Sequence, residues 1–537
     1  MTFDHRRPEA HRAVVRVCQS PVSKLAVSVP TFGGDLGLRL TSGHEALLLG
    51  STFRQSTYEI AILRVPVSVP PTVHRRESVE PLRLFPRTPT TTGGPGRPDG
   101  KRYCIWTIGC QMNEAESAKV EAMLNQVGFA RTETEDDADV IVLNSCVVRQ
   151  AAEDKVVGKI GSLQRIKRNN PDVRIALTGC MVTGQEARLR ERFPHVDLFF
   201  APSEFDRLVE IVPELAEADA DLAELPHYYQ PVATHPGVTA YVPIIYGCNF
   251  VCSYCIVPYR RGREVSRPFD EIVAEVERLA AQGVQEVTLL GQTVNAYGHD
   301  LPDGRDLADL LAAIDAIDGI KRLRFLTSHP KYFSDKLIHA IADLPSLCEH
   351  VNLPVQAGDN EVLRRMRRTY TVEHYRERID YIRRTIPNVT LATDIIVGFP
   401  GETDEQFENT AKLLNDIEFD KVHVAMYSPR PGTLSARWED DIPHSVKHAR
   451  HQAVERIQER VSAERLRARL GETLEVLVDG QQRGRWRGRT RGNTLVFFDA
   501  AGDWLGQLVD VRITEAMTWY LLGEPVAVTH QQRLAPV

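Results

Sequence analysis

Ten residues constrain this chain more than any others: Tyr246-Gly247-Cys248-Asn249-Phe250-Val251-Cys252-Ser253-Tyr254-Cys255. Three cysteines at spacing C-x3-C-x2-C put three soft thiolates on one short loop, a ligand set that selects an iron–sulfur cluster or zinc. A closed structural zinc site uses four protein ligands, and no fourth follows nearby. One position on the metal group is therefore left open for chemistry. The plainer alternative is a zinc knuckle that takes its fourth ligand from elsewhere.

The other cysteines favour the cluster. The chain has nine, an odd number, and most are far apart in its 537 residues. In a long chain with no apolar secretory leader, that pattern speaks for metal or redox use in a reducing compartment, not for a disulfide framework. The net charge of −7 is modest, so any nucleic-acid contact has to be local. No apolar run is long enough for a membrane helix, so no membrane association is expected.

Residues 1–100 differ from the rest. Their arginines far outnumber their lysines, and prolines cluster up to Thr92-Gly93-Gly94-Pro95-Gly96-Arg97-Pro98, a flexible or extended linker composition. This stretch is expected to be either a disordered extension or the product of a misplaced start. From Lys101 the pattern becomes regular. Strand-like runs at 103–108, 139–143 and 173–177 alternate with helical stretches and end at Gly109-Cys110, Asn144-Ser145-Cys146 and Thr178-Gly179-Cys180. The three cysteines are 36 and 34 residues apart, about one strand–helix unit each. Successive units of a parallel sheet return the chain to the same edge, so Cys110, Cys146 and Cys180 are expected together past the carboxyl ends of the strands. Cys104 falls inside the first strand and reads as core.

After a linker at 226–237, six apolar runs alternate with helices: 241–246, 286–290, 323–327, 350–355, 391–397 and 421–427. Six strand–helix units make a partial barrel with a lateral opening, short of the eight that close a TIM barrel. Function is expected at the strand carboxyl ends, where Gly291-Gln292-Thr293-Val294-Asn295, Ser328-His329-Pro330 and Gly398-Phe399-Pro400-Gly401-Glu402 lie. His329 reads as a structural hydrogen bonder. Two basic clusters, Tyr259-Arg260-Arg261-Gly262-Arg263 and Arg364 to Arg368 with Tyr370, suit phosphate pairing and base stacking. A helical stretch at 445–470 leads to short strands at 473–478, 494–498 and 508–513, a small β-barrel. Between the first two, Arg483-Gly484-Arg485-Trp486-Arg487-Gly488-Arg489-Thr490-Arg491 reads as a turn carrying an RNA-backbone patch with a stacking platform.

The motifs quoted above, together with Gly109-Cys110-Gln111-Met112-Asn113, Cys146-Val147-Val148-Arg149, Gly291 through Gly298 and Thr393-Asp394-Ile395-Ile396-Val397-Gly398, make the chain resemble the tRNA-modifying branch of the radical S-adenosylmethionine methylthiotransferases over about 101–530. Thr293 and Ser145 stand where that branch more often has asparagine and threonine, and 1–100 lies outside its pattern. The resemblance implies an α/β multidomain architecture. It comprises an N-terminal open parallel α/β domain (101–218), a central partial (β/α)6 radical-SAM barrel (234–466) and a C-terminal TRAM-like β-barrel (467–530).

The same resemblance implies two 4Fe-4S clusters. Cys248, Cys252 and Cys255 would hold the one that cleaves S-adenosylmethionine to a 5′-deoxyadenosyl radical, with Tyr254, Gln292, Asn295, Gly398 and Glu402 toward the cofactor. Cys110, Cys146 and Cys180 would hold the one that presents methylated sulfur. Arg260, Arg261, Arg263, Arg485, Trp486, Arg487 and Arg489 would contact RNA. The implied reaction adds a methylthio group to carbon 2 of N6-isopentenyladenosine at position 37 of tRNA anticodon loops. Alternatives are threonylcarbamoyladenosine in tRNA, an aspartate of a ribosomal protein and, remotely, a non-catalytic Fe–S RNA-binding protein. A flavodoxin- or ferredoxin-type electron donor, an unnamed sulfur donor, a cytoplasmic location and a monomer complete the expectation.

Overall fold

A computed structural model describes residues 47–50, 61–64, 100–146, 150–218 and 237–528. The chain divides into two units, Met1–Leu84 and Phe85–Val537. In the first, β1 (Leu47–Gly50) and β2 (Ala61–Arg64) pair antiparallel. The remainder of 1–99 lies outside the described residues, as do 219–236, which hold nearly all of the expected linker, and Val147 to Arg149 of the second cysteine motif.

The second unit begins with a five-stranded parallel sheet in the order β4-β3-β5-β6-β7. Its strands are β3 (Arg102–Thr107), β4 (Ala130–Arg131), β5 (Val140–Ser145), β6 (Arg174–Gly179) and β7 (Leu198–Phe199). Its helices are α1 (Gln111–Gln126), α2 (Gln150–Asn169), α3 (Glu186–Arg192) and α4 (Glu214–Ala218). All six residues of β5 are buried, as expected of a central parallel strand covered on both faces. The two-residue edge strands β4 and β7 carry too little apolar sequence to be read from the chain, and they extend the expected three strands to five.

The barrel strands follow: β8 (Thr239–Pro243), β11 (Glu286–Leu290), β12 (Arg322–Phe325), β13 (His350–Asn352), β14 (Thr390–Val397) and β15 (Lys421–Met426). A short antiparallel pair, β9 (Ile245–Tyr246) with β10 (Val265–Ser266), frames the cysteine loop. The connecting helices are α5 (Val257–Arg261), α6 (Phe269–Ala281), α7 (Leu307–Asp315), α8 (Asp335–Asp343), α9 (Asn360–Arg365), α10 (Val372–Thr385), α11 (Asp404–Ile417) and α12 (His444–Arg467). The six strands form two parallel sheets, β8-β11-β12 and β13-β14-β15, bridged at Leu323 and Leu347. Among the described residues β8 and β15 do not pair, so the barrel is open between its first and last strands. Val287, Leu289, Leu323, Phe325, Val351 and Ile395 share one hydrophobic core with the helices around the strands.

The α/β domain spans that opening. Met112 and Ala115 of α1 pack on Leu290 with Tyr241, Tyr246 and Leu326. At the other side Arg430, just past β15, pairs with Glu153 of α2 at 3.4 Å.

The C-terminal residues form a closed barrel, β16-β17-β18-β20-β19, from β16 (Thr473–Gln482), β17 (Arg485–Thr490), β18 (Leu495–Phe498), β19 (Leu508–Ala516) and β20 (Leu521–Val528). The expected turn at 485–490 is in fact strand β17, paired with both β16 and β18. This small barrel sits on the amino-terminal ends of the larger barrel's strands, away from the cysteine loops. Arg324 of β12 donates to the carbonyls of Arg491 and Thr490 at 2.6 and 2.8 Å. Arg322 donates to the Arg489 carbonyl and pairs with Glu475. Arg491 forks onto Glu349 at 2.8–3.1 Å and reaches the carbonyls of Pro345 and Leu347. Much of the arginine-rich run is thus a docking strand.

Candidate active site

Cys110, Cys146 and Cys180 of the α/β domain each follow a parallel strand, and close backbone packing holds their loops together. Gly179, before Cys180, has φ +98, and a Cβ there would collide with the backbone of Ser145, so glycine is required. A Cβ on Gly109 would meet Cys146 Cβ at 2.9 Å, so the loops of Cys110 and Cys146 touch. Fully buried Asn113 ties them further. Its Nδ2 donates to Asn144 Oδ1 at 2.8 Å and to the Ser145 carbonyl at 3.1 Å, and its Oδ1 faces the Cys110 amide and thiol at 3.3 Å each. Asn144 answers by donating to the Asn113 carbonyl at 2.8 Å. Cys110 is exposed, whereas Cys146 and Cys180 are buried. Burial pushes the Cys180 thiol up, and the Arg261 guanidinium offsets this only in part.

In the second loop, Gly247 has φ +73 and its Cα faces the Arg263 carbonyl too closely to admit a Cβ. Cys248 Sγ lies 3.3 Å from Thr293 Oγ1, and Arg368 Nη1 lies 3.5 Å from Cys252 Sγ. Burial, followed by Cys252, pushes the Cys255 thiol up to about 12. Phe250 stacks on His329 with centroids 3.7 Å apart and planes 10° from parallel. His329 Nδ1 accepts from the Lys331 amide at 3.2 Å. Burial, then Arg368 and Lys331, drives its pKa down to about 2, so the ring is neutral and packs as a structural support.

Among the residues expected toward the cofactor, Asn295 clamps the His329 backbone through both ends of its amide, at 3.0 and 2.8 Å. Glu402 is buried; it accepts from the Gly398 amide at 2.6 Å and from Arg450 of α12 at 2.8 Å. Gly398 and Glu402 therefore brace the loop after β14. Tyr254 sits under that loop, its ring 6.5 Å from Phe399. Gln292 Oε1 is buried with no hydrogen-bond partner in the protein, an acceptor that an added donor would satisfy.

Arg261 joins the two loops. It closes α5, just past Cys255, and its Nε donates to Cys180 Sγ at 3.3 Å. Its Nη1 pairs at 2.5 Å with Glu116 of α1, the side chains being 5% and 2% exposed. Neighbouring Arg260 donates to the Thr183 carbonyl.

Several expected RNA contacts need correcting. Arg261 is committed to Glu116 and Cys180. Trp486 is buried in the small barrel's core and donates to the Ala500 carbonyl at 3.1 Å, so it is not an open stacking platform. Arg487 is buried on Asp479 at 2.8 Å. Arg489 reaches the Asn493 carbonyl and Oδ1 at 3.2 and 3.3 Å, and burial lowers its pKa. Arg260 is partly covered by the α/β domain. Arg263 and Arg485 remain exposed, and Tyr259, 60% exposed, stands beside the cysteine loop.

Thr293, Arg368, Glu116 and the Asn113–Asn144 pair are the site residues sequence reasoning assigned no such part. Glu116 carried a signal: with Met112, Lys119, Val120 and Met123 it lies on the core-facing side of α1, where a charge needs a buried partner.

Among the described residues no group of three His, Cys, Asp or Glu converges tightly enough for a single metal ion. A 4Fe-4S cluster takes each thiolate on a different iron, so its ligands stand wider apart than those of a single ion. The cations beside each set, Arg261 and Arg368, suit a negatively charged cluster.

Comparison with known proteins agrees with this architecture. The Radical SAM superfamily model matches residues 242–414, the Uncharacterized protein family UPF0004 model 102–201 and the TRAM domain model 467–526. The chain is 50% identical over 433 residues to the tRNA-2-methylthio-N(6)-dimethylallyladenosine synthase of Roseiflexus sp. (strain RS-1), covering 79% of this chain and 90% of that protein. It is 49% identical over 435 residues to the protein of the same name from Herpetosiphon aurantiacus, covering 80% and 98%. Among solved structures, the radical S-adenosylmethionine methyltransferase TsrM from Kitasatospora setae superposes with a TM-score of 0.47 at 14% identity, covering 72% of this chain and 80% of that one. The chain belongs to the tRNA-2-methylthio-N(6)-dimethylallyladenosine synthase family of radical SAM enzymes.

Proposed function

We propose that this chain is a methylthiotransferase that places a methylthio group on carbon 2 of N6-isopentenyladenosine in tRNA anticodon loops, using one 4Fe-4S cluster at Cys248, Cys252 and Cys255 and a second at Cys110, Cys146 and Cys180. The observation that carries it is the meeting of two open three-cysteine sets at one domain boundary, through Arg261. When bound, the first cluster with S-adenosylmethionine supplies a carbon-centred radical and the second supplies the sulfur.

The chain's own residues hold, orient and shield. Arg368 directs an N–H at the thiol of Cys252, and the Thr293 hydroxyl shares a hydrogen bond with the thiol of Cys248. Phe250 stacked on neutral His329 fixes the loop between those thiols. Asn295 fixes the strand end behind His329, and Gln292 keeps one acceptor for the cofactor. The Gly398–Glu402–Arg450 brace holds the opposite rim. The α/β domain packs against the open side of the barrel through Met112 and Ala115 on Leu290 and through Glu153 on Arg430.

An unstacked loop base is the accessible target for a site at the strand ends of an open barrel. Tyr259, Arg263 and Arg485 are the exposed candidates for base stacking and phosphate pairing. A flavodoxin- or ferredoxin-type donor is the partner that fits a one-electron requirement. No helix among the described residues is long and apolar enough to cross a membrane.

Anaerobic reconstitution tests the reading. The full chain is expected to bind about eight irons, and a Cys110→Ala, Cys146→Ala, Cys180→Ala variant about four. That variant retains S-adenosylmethionine cleavage and transfers no sulfur. Full methylthiolation by the triple variant would overturn the assignment.

A further inference from the structure

We infer that the buried Arg261–Glu116 pair is a positioning element that couples the two cysteine sites and tunes the cluster held by Cys110, Cys146 and Cys180; this rests on the two-cluster reading above. Arg261 ends the short helix that begins two residues after Cys255, and Glu116 lies in the helix that begins directly after Cys110. The pair therefore ties the radical-generating loop to two of the three sulfur-site loops, since Arg261 Nε also meets Cys180 Sγ at 3.3 Å.

A fastening alone does not explain its chemistry. Both side chains are almost wholly buried, and a pair so desolvated is often replaceable by apolar residues without loss of stability. What an apolar pair lacks is a cation and N–H groups at the thiol. Arg261 Nη2 and Glu116 Oε2 are buried with no hydrogen-bond partner in the protein. Arg261 thus has a donor to spare for a further sulfur acceptor, and Glu116 holds the guanidinium in place while partly offsetting its charge. Hydrogen bonds to sulfur and net local charge are among the factors that set an iron–sulfur potential. A cation and an N–H at Cys180 favour the reduced, more negative cluster and raise its potential. Lysine cannot reproduce the fork, because it offers a point charge in place of a planar set of donors.

The test uses the full chain with Cys248→Ala, Cys252→Ala and Cys255→Ala, so that only the sulfur site is loaded, titrated redox-metrically under electron paramagnetic resonance. Arg261→Gln is expected to move the midpoint to more negative potential and alter the resonance. Arg261→Lys is expected to fall between that variant and the parent. Glu116→Gln, which removes the offsetting charge, is expected to move the midpoint the opposite way. A merely structural latch would reduce iron loading while leaving the midpoint and resonance of the loaded fraction unchanged, and that result overturns the inference. Should Arg261→Gln take up no iron, the Glu116→Gln midpoint decides: a positive shift supports the inference and an unshifted one overturns it. A parent that binds no iron at Cys110, Cys146 and Cys180 overturns the two-cluster reading itself, and this inference with it.

Discussion

Replacing Arg324 by alanine should loosen the small C-terminal barrel from the larger one, and the structure sets the size of the effect. The Arg324 guanidinium is 4% exposed and makes three contacts: Glu286 at 3.1 Å, the Arg491 carbonyl at 2.6 Å and the Thr490 carbonyl at 2.8 Å. Removing one partner of a buried pair costs about 3–5 kcal/mol. The lower end applies, because Arg322 and Arg489 also act on Glu286. Each carbonyl left without a donor adds about 1 kcal/mol or more. These terms overlap in one network, so about 4 kcal/mol is expected. Cys348 is a built-in reporter: it is 2% exposed and lies among Arg324, Arg322 and Arg491. At 1.4 kcal/mol per decade, its alkylation rate, read by peptide mass spectrometry, should rise roughly a thousandfold. Arg512→Ala is the control, since its pair with Glu524 is 58% and 66% exposed and such pairs contribute under about 1 kcal/mol. An unchanged Cys348 rate in Arg324→Ala would refute the docking argument.

Asn113→Ala removes the amide that ties the Cys110 and Cys146 loops and should lower bound iron by up to about half, the share of one of two clusters, with S-adenosylmethionine cleavage retained. Arg487→Ala should destabilise the small barrel by about 3 kcal/mol and leave the salt dependence of tRNA binding unchanged. Arg485→Ala should keep the stability and reduce that salt slope by roughly 1, as for one lost phosphate contact; salt-titrated binding assays separate the two. Burial holds His329 and His350 neutral, with pKa values lowered to about 2 and about 3. A base depressed in the fold contributes stability that is full above its unfolded pKa of about 6.5 and is lost as pH falls below it, by about 1.4 kcal/mol per unit for each histidine. Denaturation between pH 6.5 and 5 should show that slope, and His350→Asn should flatten it by about half.

The strand-end cysteines were legible because the strand–helix period is local: spacings of 36 and 34 residues place Cys110, Cys146 and Cys180 on one sheet edge without knowledge of any distant contact. Glu286–Leu290 was read to the residue, since its β-branched and leucine positions end directly at Gly291. Strand β17 was not legible. Arg-Gly-Arg-Trp-Arg-Gly-Arg looks like solvent-facing turn sequence, and its burial depends on Asp479, Ala500 and the Arg322–Arg324 surface, which are remote in the chain or on another domain. Charge patterning reports how many arginines cluster, not whether each has a carboxylate or carbonyl waiting. For the same reason Arg368 looked like part of an RNA-binding rim and lies instead on Cys252, while Arg261 lies on Cys180 and Glu116.

The most direct test of the central claim is mass spectrometry of tRNA nucleosides from cells lacking this gene, alone and complemented with the wild-type chain or with Cys110→Ala, Cys146→Ala, Cys180→Ala. Loss of 2-methylthio-N6-isopentenyladenosine in the deletion, accumulation of the unthiolated nucleoside, and restoration by the wild type but not by the triple variant are expected. An unchanged 2-methylthio nucleoside in the deletion strain would contradict the account.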